Sequence, residues 1–448
     1  MRVLLVATNR VDTPFPVYPI GVDYVATALR DRHDVQVLDL ACAGSEAALL
    51  AAFRDFAPDV IGLSIRNVGG VDLSGREGSI VEFEQIVALL RQNSTARLIL
   101  GGPGFSIFPQ VLMKRLGADY GIAGEGERLC EFLDGLALGK EDSVPGLLIG
   151  DRWQERPSPW MGPRLRQLSS PQTVAHYVAS GGMLNVQTKR GCPYLCTYCA
   201  YPGIEGRKLR LSQPEAVARE WHALILAGAK FLFVADAVFN SHVGHNLAVA
   251  DALQHNPTSV PWGAFFAPLK PPRDYYRRLR EAGLTHAEFG TESLSQAMLK
   301  QYRKPFTVEH ALAAHTDARA AGIHVAHYFM LGGPGETEAT VRETLDHCDR
   351  LDDAALFFFC GVRISPGTAV HAQAVREGQI DADDDLLAPR IYAPAAISLD
   401  AIRDMVAKRA RGRRHWVIGA GDTEMAAVVK RMHQRGHVGP LWDRLVMT

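Results

Sequence analysis

Short apolar runs alternate with amphipathic stretches along most of this 448-residue chain. Within residues 1–140 the apolar runs are RVLLVAT, VQVLDL, DVIGLSI, ARLILGG and ADYGIAG, and the stretches between them carry apolar residues at helical spacing. Strands that are apolar throughout and alternate with helices are typical of a parallel sheet covered on both faces. The pattern therefore predicts an α/β fold. Residues 1–140 are expected to form a doubly wound parallel sheet whose ligand crevice lies at the carboxyl ends of its strands.

The chain then changes character and resumes the same alternation. Residues 141–182 are rich in Pro, Gly and Ser and have no period, which predicts a linker. Six further apolar runs follow, from MLNVQTK to AALFFFCGVRI, separated by helical stretches. Six βα units over residues 183–370 predict a (β/α)6 partial TIM barrel with its active site at the C-terminal ends of the strands. Residues 371–448 are predicted to form a small, mainly helical C-terminal segment.

The bulk properties exclude several classes of partner. The formal net charge is −1, which does not favour binding to nucleic acid or to an anionic membrane. No apolar run reaches the ~18 residues that span a bilayer. The first apolar run is too short for a signal peptide. We therefore expect a cytoplasmic protein with a small-molecule or carrier-bound substrate, without nucleic acid and without a membrane span.

Three of the seven cysteines lie within eight residues, in the stretch KRGCPYLCTYCAYPG: Cys192, Cys196 and Cys199. Thiolates in a short loop are soft ligands that suit zinc or an iron–sulfur cluster. A structural zinc site takes four ligands, and the nearest histidines, His176 and His222, lie outside the loop. Three cysteines on a [4Fe–4S] cluster leave one iron open to bind a small molecule. This favours a cluster over a zinc knuckle or a coincidental grouping, and the other four cysteines are expected to be small buried hydrophobic residues.

The C-x3-C-x2-C spacing, with Tyr198 before the last cysteine, resembles the cluster loop of radical S-adenosylmethionine (SAM) enzymes. The resemblance implies that the three cysteines hold a [4Fe–4S] cluster whose open iron binds SAM at the mouth of the barrel. The stretches FVADAVFN, FGTESLS and MLGGPGET, which follow later strands, are similar to further parts of the family pattern. The SAM contacts that the resemblance implies are Tyr198, Asp236, Glu292, Ser293, Gly332, Gly333 and Pro334.

The N-terminal sheet resembles the cobalamin-binding domain of one radical SAM subfamily. The motif D-x-H-x-x-G is matched by Asp39, Ala41 and Gly44, with alanine in place of the histidine that ligates cobalt. The resemblance therefore implies cobalamin without a cobalt ligand from this position. The other cobalamin contacts that it implies are Ser64, Gly101, Gly102, Gly124 and Glu125. A generic Rossmann-like domain without cobalamin stays open as an alternative.

The resemblance implies a cobalamin-dependent radical SAM C-methyltransferase of the class B type. In that family a 5′-deoxyadenosyl radical activates an unactivated carbon and methylcobalamin supplies the methyl group. A reducing partner such as flavodoxin or ferredoxin is implied by the same chemistry. Along LTHAEFG, strand alternation turns Glu288 into the barrel and the apolar residues outwards. We expect Glu288, Tyr328 and Arg363 to serve the substrate or the catalytic step.

Three other functions are alternatives. A cobalamin-dependent radical SAM cyclase or rearrangement enzyme would have the same sequence features. A radical SAM methylthiotransferase would carry a second cluster on three upstream cysteines, whereas only Cys42 and Cys130 lie upstream here. A non-catalytic redox or cobalamin sensor would not need the GTES and GGPGET elements beside the cluster.

Overall fold

The computed structural model describes residues 1–12, 15–44, 46–69, 79–141, 143–255, 260–421 and 423–446. The chain forms two α/β units, each built on a seven-stranded sheet. The α/β class predicted from the sequence, a doubly wound sheet followed by a partial barrel, is confirmed.

The strands of the N-terminal sheet are β1 (Arg2–Ala7), β2 (Asp34–Asp39), β3 (Val60–Ser64), β4 (Arg97–Gly101), β5 (Tyr120–Ile122), β6 (Leu147–Ile149) and β7 (Arg152–Trp153). Their order is β2-β1-β3-β4-β5-β6-β7, and the first five are parallel. Leu5 in β1 lies opposite Val37 in β2 and Gly62 in β3. The order places a switch point between β1 and β3, which is where open α/β sheets bind ligands.

Helices cover both faces of this sheet, as its apolar strands require. In β1, Val3 packs with Phe132 on one face, whereas Leu4 packs with Phe53 on the other. The helices are α1 (Ile20–Leu29), α2 (Leu40–Ala43), α3 (Glu46–Phe56), α4 (Ser79–Asn93), α5 (Pro103–Ile107), α6 (Pro109–Leu116) and α7 (Arg128–Ala137).

The sheet extends beyond residue 140, where the sequence pattern predicted a linker. β6 pairs with β5 and β7 with β6, both antiparallel, at the edge of the sheet. The stretch also contains helix α8 (Pro171–Ala179), which begins at the cap residue Ser170. These elements are short and lie among prolines and glycines, so no period marks them in the sequence.

The second sheet forms the wall of an open barrel. Its parallel strands are β8 (Met183–Val186), β11 (Phe231–Val234), β12 (Trp262–Phe266), β13 (Leu284–Glu292), β14 (His324–Leu331), β15 (Ala354–Cys360) and β18 (Trp416–Ile418). The first six are the strands predicted from the sequence. The seventh, β18, comes from the C-terminal segment and pairs parallel with β15.

The barrel strands are joined by helices that bury an apolar layer against the outer face of the sheet. The helices of the second half are α9 (Tyr201–Glu205), α10 (Pro214–Leu226), α11 (Val243–His255), α12 (Tyr275–Glu281), α13 (Gln296–Gln301), α14 (Val308–Ala320), α15 (Glu338–Cys348), α16 (Ala369–Arg376), α17 (Leu399–Ala410) and α18 (Thr423–Gln434), with 3₁₀ helices at Phe239–Ser241 and Trp442–Leu445. Two antiparallel pairs complete the fold: β9 (Lys189–Arg190) with β10 (Arg210–Leu211), and β16 (Val362–Arg363) with β17 (Ile391–Tyr392).

The C-terminal tail, residues 436–446, fills the barrel between its two edge strands, β8 and β18. The amide of Gly439 donates to the carbonyl of Gly181, just before β8, at 3.0 Å. Trp442 is buried against Ala326, Phe357 and Val417. The tail therefore plugs the interior of a barrel that its strands leave open.

Two further predictions concern the burial of the other four cysteines and the absence of a membrane span. Cys348 and Cys360 are buried as expected, whereas Cys42 and Cys130 are only partly buried. None of the helices in the described ranges is long and apolar enough to cross a bilayer.

Candidate active site

The three cysteines lie in the loop between β9 and α9, at the carboxyl end of the first barrel strand. The β9–β10 pair clamps the two ends of this segment. Gly191 has φ of +91°, and a Cβ on it would lie 2.3 Å from the carbonyl oxygen of Lys208 in the facing strand segment. Only glycine fits there, so the turn into the cysteine loop is set by the sequence.

A backbone donor and burial act on the sulfur atoms of the loop. The amide of Tyr201, at the start of α9, donates to Sγ of Cys199 at 3.4 Å. Burial, together with the neighbouring thiols, raises the pKa of Cys192 and raises that of Cys199 to about 11. The thiols therefore need cationic partners to ionise, and iron supplies them in a cluster.

No three His, Cys, Asp or Glu side chains within the described ranges converge on a point that one metal ion could occupy. A tetrahedral zinc site requires such a point. A [4Fe–4S] cluster does not, because each cysteine ligates a different iron atom. The loop provides three thiolate ligands, which suits a [4Fe–4S] cluster with one open iron.

A buried charge cluster lies against the cysteine loop. Lys304 Nζ lies 2.7 Å from Oε1 of Glu292 and 3.2 Å from the hydroxyl of Tyr198, which itself donates to Glu292. Burial lowers the pKa of Lys304, but Glu292 and Cys196 outweigh it and the net pKa is raised. The pairing of β13 shifts register beside Gly290, and Glu292 has φ of +58°. This irregularity turns the Glu292 carboxylate towards the loop.

Asp236, predicted to contact SAM, binds the base of the cysteine loop. Its carboxylate accepts hydrogen bonds from the amide and hydroxyl of Thr188, at 2.7 and 2.6 Å. It also accepts from the amide and Nζ of Lys189, at 3.2 and 2.7 Å. Four donors fill the acceptor sites of a carboxylate. Asp236 therefore positions the first barrel strand and the residues that enter the loop.

Of the predicted residues that follow β13 and β14, some contact the cysteine loop and others contact the helices outside the barrel. The hydroxyl of Ser293 is buried and contacts Thr344 of α15 at 2.9 Å. Gly333 lies against Tyr302, since a Cβ on Gly333 would be 2.4 Å from the Tyr302 hydroxyl. The Tyr302 ring makes an edge contact with Tyr198, with centroids 5.6 Å apart. The Gly332–Pro334 turn is thus joined to the cysteine loop through Tyr302, whereas Ser293 is not.

Two of the predicted substrate residues meet inside the barrel. The Tyr328 hydroxyl donates to Oε2 of Glu288 at 2.9 Å, and Trp442 Nε1 donates to Oε1 at 2.9 Å. Burial raises the pKa of Glu288 to about 7, although both donors oppose the shift. Arg363 lies elsewhere, in β16 at the carboxyl edge of the barrel, with its guanidinium 5.8 Å from the ring of Phe108.

The predicted cobalamin residues all lie at the carboxyl edge of the N-terminal sheet. Asp39 caps α2, accepting from the amide of Ala41 at 3.0 Å and from the Tyr177 hydroxyl at 2.8 Å. The remaining predicted residues follow β2 to β5: Gly44, Ser64, Gly101, Gly102, Gly124 and Glu125. Gly102 has φ of +94°, and its Cβ would lie 2.6 Å from the carbonyl oxygen of Ile65 beside the switch point. Glycine is required for this close approach.

The residues at this edge determine whether cobalamin fits there. A Cβ added at Gly21 or Gly44 would meet no described atom within 4 Å. Ala41 provides no imidazole for cobalt. Arg66, one residue beyond Ile65, has a pKa lowered by burial, and no carboxylate within the described ranges pairs with it. The residues present fit a bound cobalamin without a histidine ligand.

An ion network joins the two units between the cobalamin edge and the cysteine loop. Glu125 pairs with Arg190 at 3.1 Å and with Arg210 at 2.5 Å. Arg190 also pairs with Glu205 at 3.4 Å, and Glu205 accepts from the amide of Gly191 at 2.9 Å. Glu125, predicted to contact cobalamin, thus engages the residues that flank the cysteine loop. The carboxyl edges of the two sheets face each other across this network.

Comparison with known proteins identifies the two domains. Residues 186–348 match the Radical SAM superfamily, and residues 8–133 match the B12 binding domain. The chain carries a radical SAM domain and a cobalamin-binding domain. The matched ranges contain the three cysteines and the predicted cobalamin edge respectively. The cofactors of this radical SAM enzyme are a [4Fe–4S] cluster, SAM and cobalamin.

Individual relatives of this radical SAM enzyme are distant but extensive. It is 23% identical to the tryptophan 2-C-methyltransferase of Streptomyces laurentii, over 81% of this chain and 73% of the relative. It is 24% identical to an uncharacterized methyltransferase of Pyrococcus horikoshii, over 75% of this chain and 73% of the relative. Its fold matches that of TsrM, a radical SAM methyltransferase from Kitasatospora setae, with a TM-score of 0.85 and 21% identity over 99% of this chain and 98% of TsrM.

Several residues of the site were missed in the sequence. Lys304 and Tyr302 lie in QYRKPF, a stretch without a recognised motif, and reach the loop only because α13 returns the chain to the barrel mouth. Glu205 and Arg190 flank the cysteines, so charged residues next to the motif were a usable signal. Trp442 had none, because it lies more than 100 residues from its partner Glu288.

Proposed function

We propose that this protein is a cobalamin-dependent C-methyltransferase that methylates an unactivated carbon of a small or carrier-bound metabolite. The facing carboxyl edges of the two sheets, joined through Glu125 and Arg190, support the proposal because they direct the cobalamin edge at the cluster loop. The distant relatives named as methyltransferases support it as well. A reducing partner such as flavodoxin or ferredoxin belongs to the proposal.

When bound, the cluster with SAM supplies hydrogen abstraction and cobalamin supplies the methyl group. The chain's own residues hold these groups and exclude water. Cys192, Cys196 and Cys199 hold the cluster, and the buried Lys304 places a positive charge beside the thiolates. A fixed charge at a buried site acts without reorganisation during the reaction.

The barrel interior is the proposed place for the reacting carbon. Glu288 and Tyr328 form a hydrogen-bonded pair there, and the C-terminal tail closes the interior below them. A carboxyl group with a pKa near 7 is suited to accept or return a proton near neutral pH. Arg363, at the barrel's carboxyl edge, is proposed to pair an anionic part of the substrate that stays outside.

The test is anaerobic reconstitution of the full chain with iron, sulfide and hydroxocobalamin, followed by metal counts. We expect about four irons and one cobalt per chain. The variant Cys192→Ala/Cys196→Ala/Cys199→Ala should lose the iron and keep the cobalt.

Product analysis then separates the candidate reactions. Formation of both 5′-deoxyadenosine and S-adenosylhomocysteine is expected of a methylase that acts on an unactivated carbon. 5′-Deoxyadenosine without S-adenosylhomocysteine would favour the cyclase or rearrangement alternative. Iron without cobalt would contradict the proposal and leave a cobalamin-free radical enzyme.

A further inference from the structure

The interior of the barrel is lined by one of the two faces of each strand. In β12, Trp262, Ala264 and Phe266 belong to the core under the helices, so Gly263 and Phe265 face inwards. The same alternation applies to the other strands. The inward-facing side chains of this lumen are Met183, Asn185, Phe231, Phe233, Phe265, His286, Glu288, His324, Ala326, Tyr328, Met330, Ala355, Phe357, Phe359 and Val417.

Phe265 presents an open apolar face inside the lumen. Its exposed fraction is 42%, whereas its neighbours Ala264 and Phe266 are at most 1% exposed. A phenylalanine in the middle of a barrel strand is ordinarily covered, because lumen side chains pack against each other. A large apolar face left open in a concave site marks a ligand pocket.

Five rings in mutual contact form a continuous array that includes Phe265, and we call it the aromatic wall: Phe233, Phe265, Tyr328, Phe357 and Phe359. Phe265 meets Phe233 and Tyr328 edge to face, with centroids 5.0 and 6.4 Å apart. Tyr328 is stacked on Phe357 at 5.0 Å and lies parallel to Phe359 at 6.4 Å. An aromatic ligand extends such an array and gains ring–ring attraction that an aliphatic ligand of equal area does not.

Within the described ranges, none of the inward-facing strand positions of the lumen carries a lysine or arginine that could pair an anionic ligand. Its two histidines, His286 and His324, lie near the N-terminal ends of their strands, where His286 faces Asp443 of the tail at 3.6 Å. Glu288, beside the rings, already engages Tyr328 and Trp442. A charged group buried there would lack a counter-ion, which is costly.

We propose that the substrate carries an uncharged planar aromatic ring, and that the aromatic wall holds this ring in the lumen with the open face of Phe265 as its main contact. This inference deepens the proposed methyl-transfer function, on which its use of the word substrate rests. Any carboxylate or phosphate on the same molecule stays outside the lumen.

The test measures ring binding separately from turnover. Full-length reconstituted protein is dialysed to equilibrium, with and without saturating SAM, against 2-naphthol or against decahydro-2-naphthol, which has the same skeleton without aromaticity. We expect one 2-naphthol per chain, bound more tightly than the saturated alcohol. Phe265→Leu should weaken 2-naphthol binding about 3- to 10-fold and leave the saturated alcohol unchanged.

Leu226→Ala is the control, since Leu226 is an exposed apolar residue on α10, outside the barrel. It should leave both affinities unchanged. The proposal is overturned if the two alcohols bind alike or if Phe265→Leu has no effect on 2-naphthol binding. It is also overturned if SAM displaces 2-naphthol, because the aromatic wall would then hold the adenine ring of SAM. If the rings bind as expected but the product analysis above yields no S-adenosylhomocysteine, the proposed methyl transfer is refuted and the ring site still stands.

Discussion

Glu288 is a carboxyl group held in the lumen by two donors, and its burial links its protonation to folding. Its pKa is about 7 in the folded chain, against about 4.3 for an unfolded glutamate. Between these values the folded state binds more protons than the unfolded state. The stabilisation from this group is therefore full below the unfolded pKa and is lost as the pH rises through 7.

Glu288→Gln should remove this pH dependence. Relative to the variant, the wild-type protein should lose roughly 1–3 kcal/mol of unfolding free energy between pH 5 and pH 8. Urea unfolding at the two pH values measures the difference. Glu281→Gln, in an exposed surface pair with Arg277, is the control and should follow the wild type. An unchanged slope in Glu288→Gln would show that the carboxyl titrates normally.

Gly191 sets the entry to the cysteine loop, which makes it a second test at the residue scale. Gly191→Ala should cost roughly 1–3 kcal/mol, because alanine at positive φ is strained and its Cβ meets the Lys208 carbonyl. We expect reduced iron per chain after reconstitution. Gly203→Ala is the matched control in the same segment, since its Cβ would meet nothing within 4 Å. Equal iron content in both variants would contradict the prediction.

Residues whose place is determined by the local sequence pattern could be predicted, and residues placed by distant contacts could not. The cysteines were found from their spacing and Glu288 from strand alternation, and both are local properties. The Glu292–Lys304 pair depends on a register shift in β13, which no local pattern announces. Asp236 and Ser293 follow β11 and β13, but the direction of their hydrogen bonds is decided by neighbouring strands and helices.

At the scale of elements, the C-terminal tail closes one end of the lumen and contacts Glu288 there. Trp442 Nε1 donates to Glu288, and this bond opposes the effect of burial on the Glu288 pKa. Trp442→Phe should therefore raise that pKa further. Above pH 7, where Glu288 is ionised, it should also destabilise the fold by about 1–3 kcal/mol, through the lost hydrogen bond to the carboxylate.

The midpoint of the pH dependence of unfolding is measured for the wild type and Trp442→Phe, and the free energies of unfolding are compared among Trp442→Phe, Glu288→Gln and the double variant. The two effects should be non-additive, because the residues share one hydrogen bond. Trp160→Phe, whose indole bonds the carbonyl of Pro163 near the surface, is the control. Additive effects would contradict a direct link between tail and lumen.

Element prediction succeeded where a strand was long and its neighbours periodic. The five parallel strands of the first sheet and six of the barrel are apolar runs bounded by amphipathic helices. β18 has only three residues, and the tail has no helical or strand period, so their places depend on the barrel edge that they cover. β6 and β7 were missed for the same reason, being short additions to an existing edge.

At the scale of the whole molecule, the two units are held together by buried charge. Glu125 extends from the cobalamin edge to Arg190 and Arg210, which flank the cysteine loop, and all three side chains are at most 11% exposed. Buried ion pairs of this kind specify geometry more than they stabilise. The network therefore sets how the cobalamin edge and the cluster loop face each other.

Glu125→Gln should be strongly destabilising, by about 3–5 kcal/mol, because it removes the carboxylate that pairs the buried Arg210 and one of the two carboxylates that pair Arg190. In the reconstituted wild type, cobalamin and cluster absorbance should be lost together during urea unfolding. In Glu125→Gln the two transitions should separate, since the interface no longer couples the units. Arg277→Gln breaks the exposed pair with Glu281 and should cost about 0–1 kcal/mol with coincident transitions. If Glu125→Gln behaved like this control, the facing of the two edges would have to rest on other contacts between the units, such as the buried pairs of Arg166 with Asp23 and Glu220.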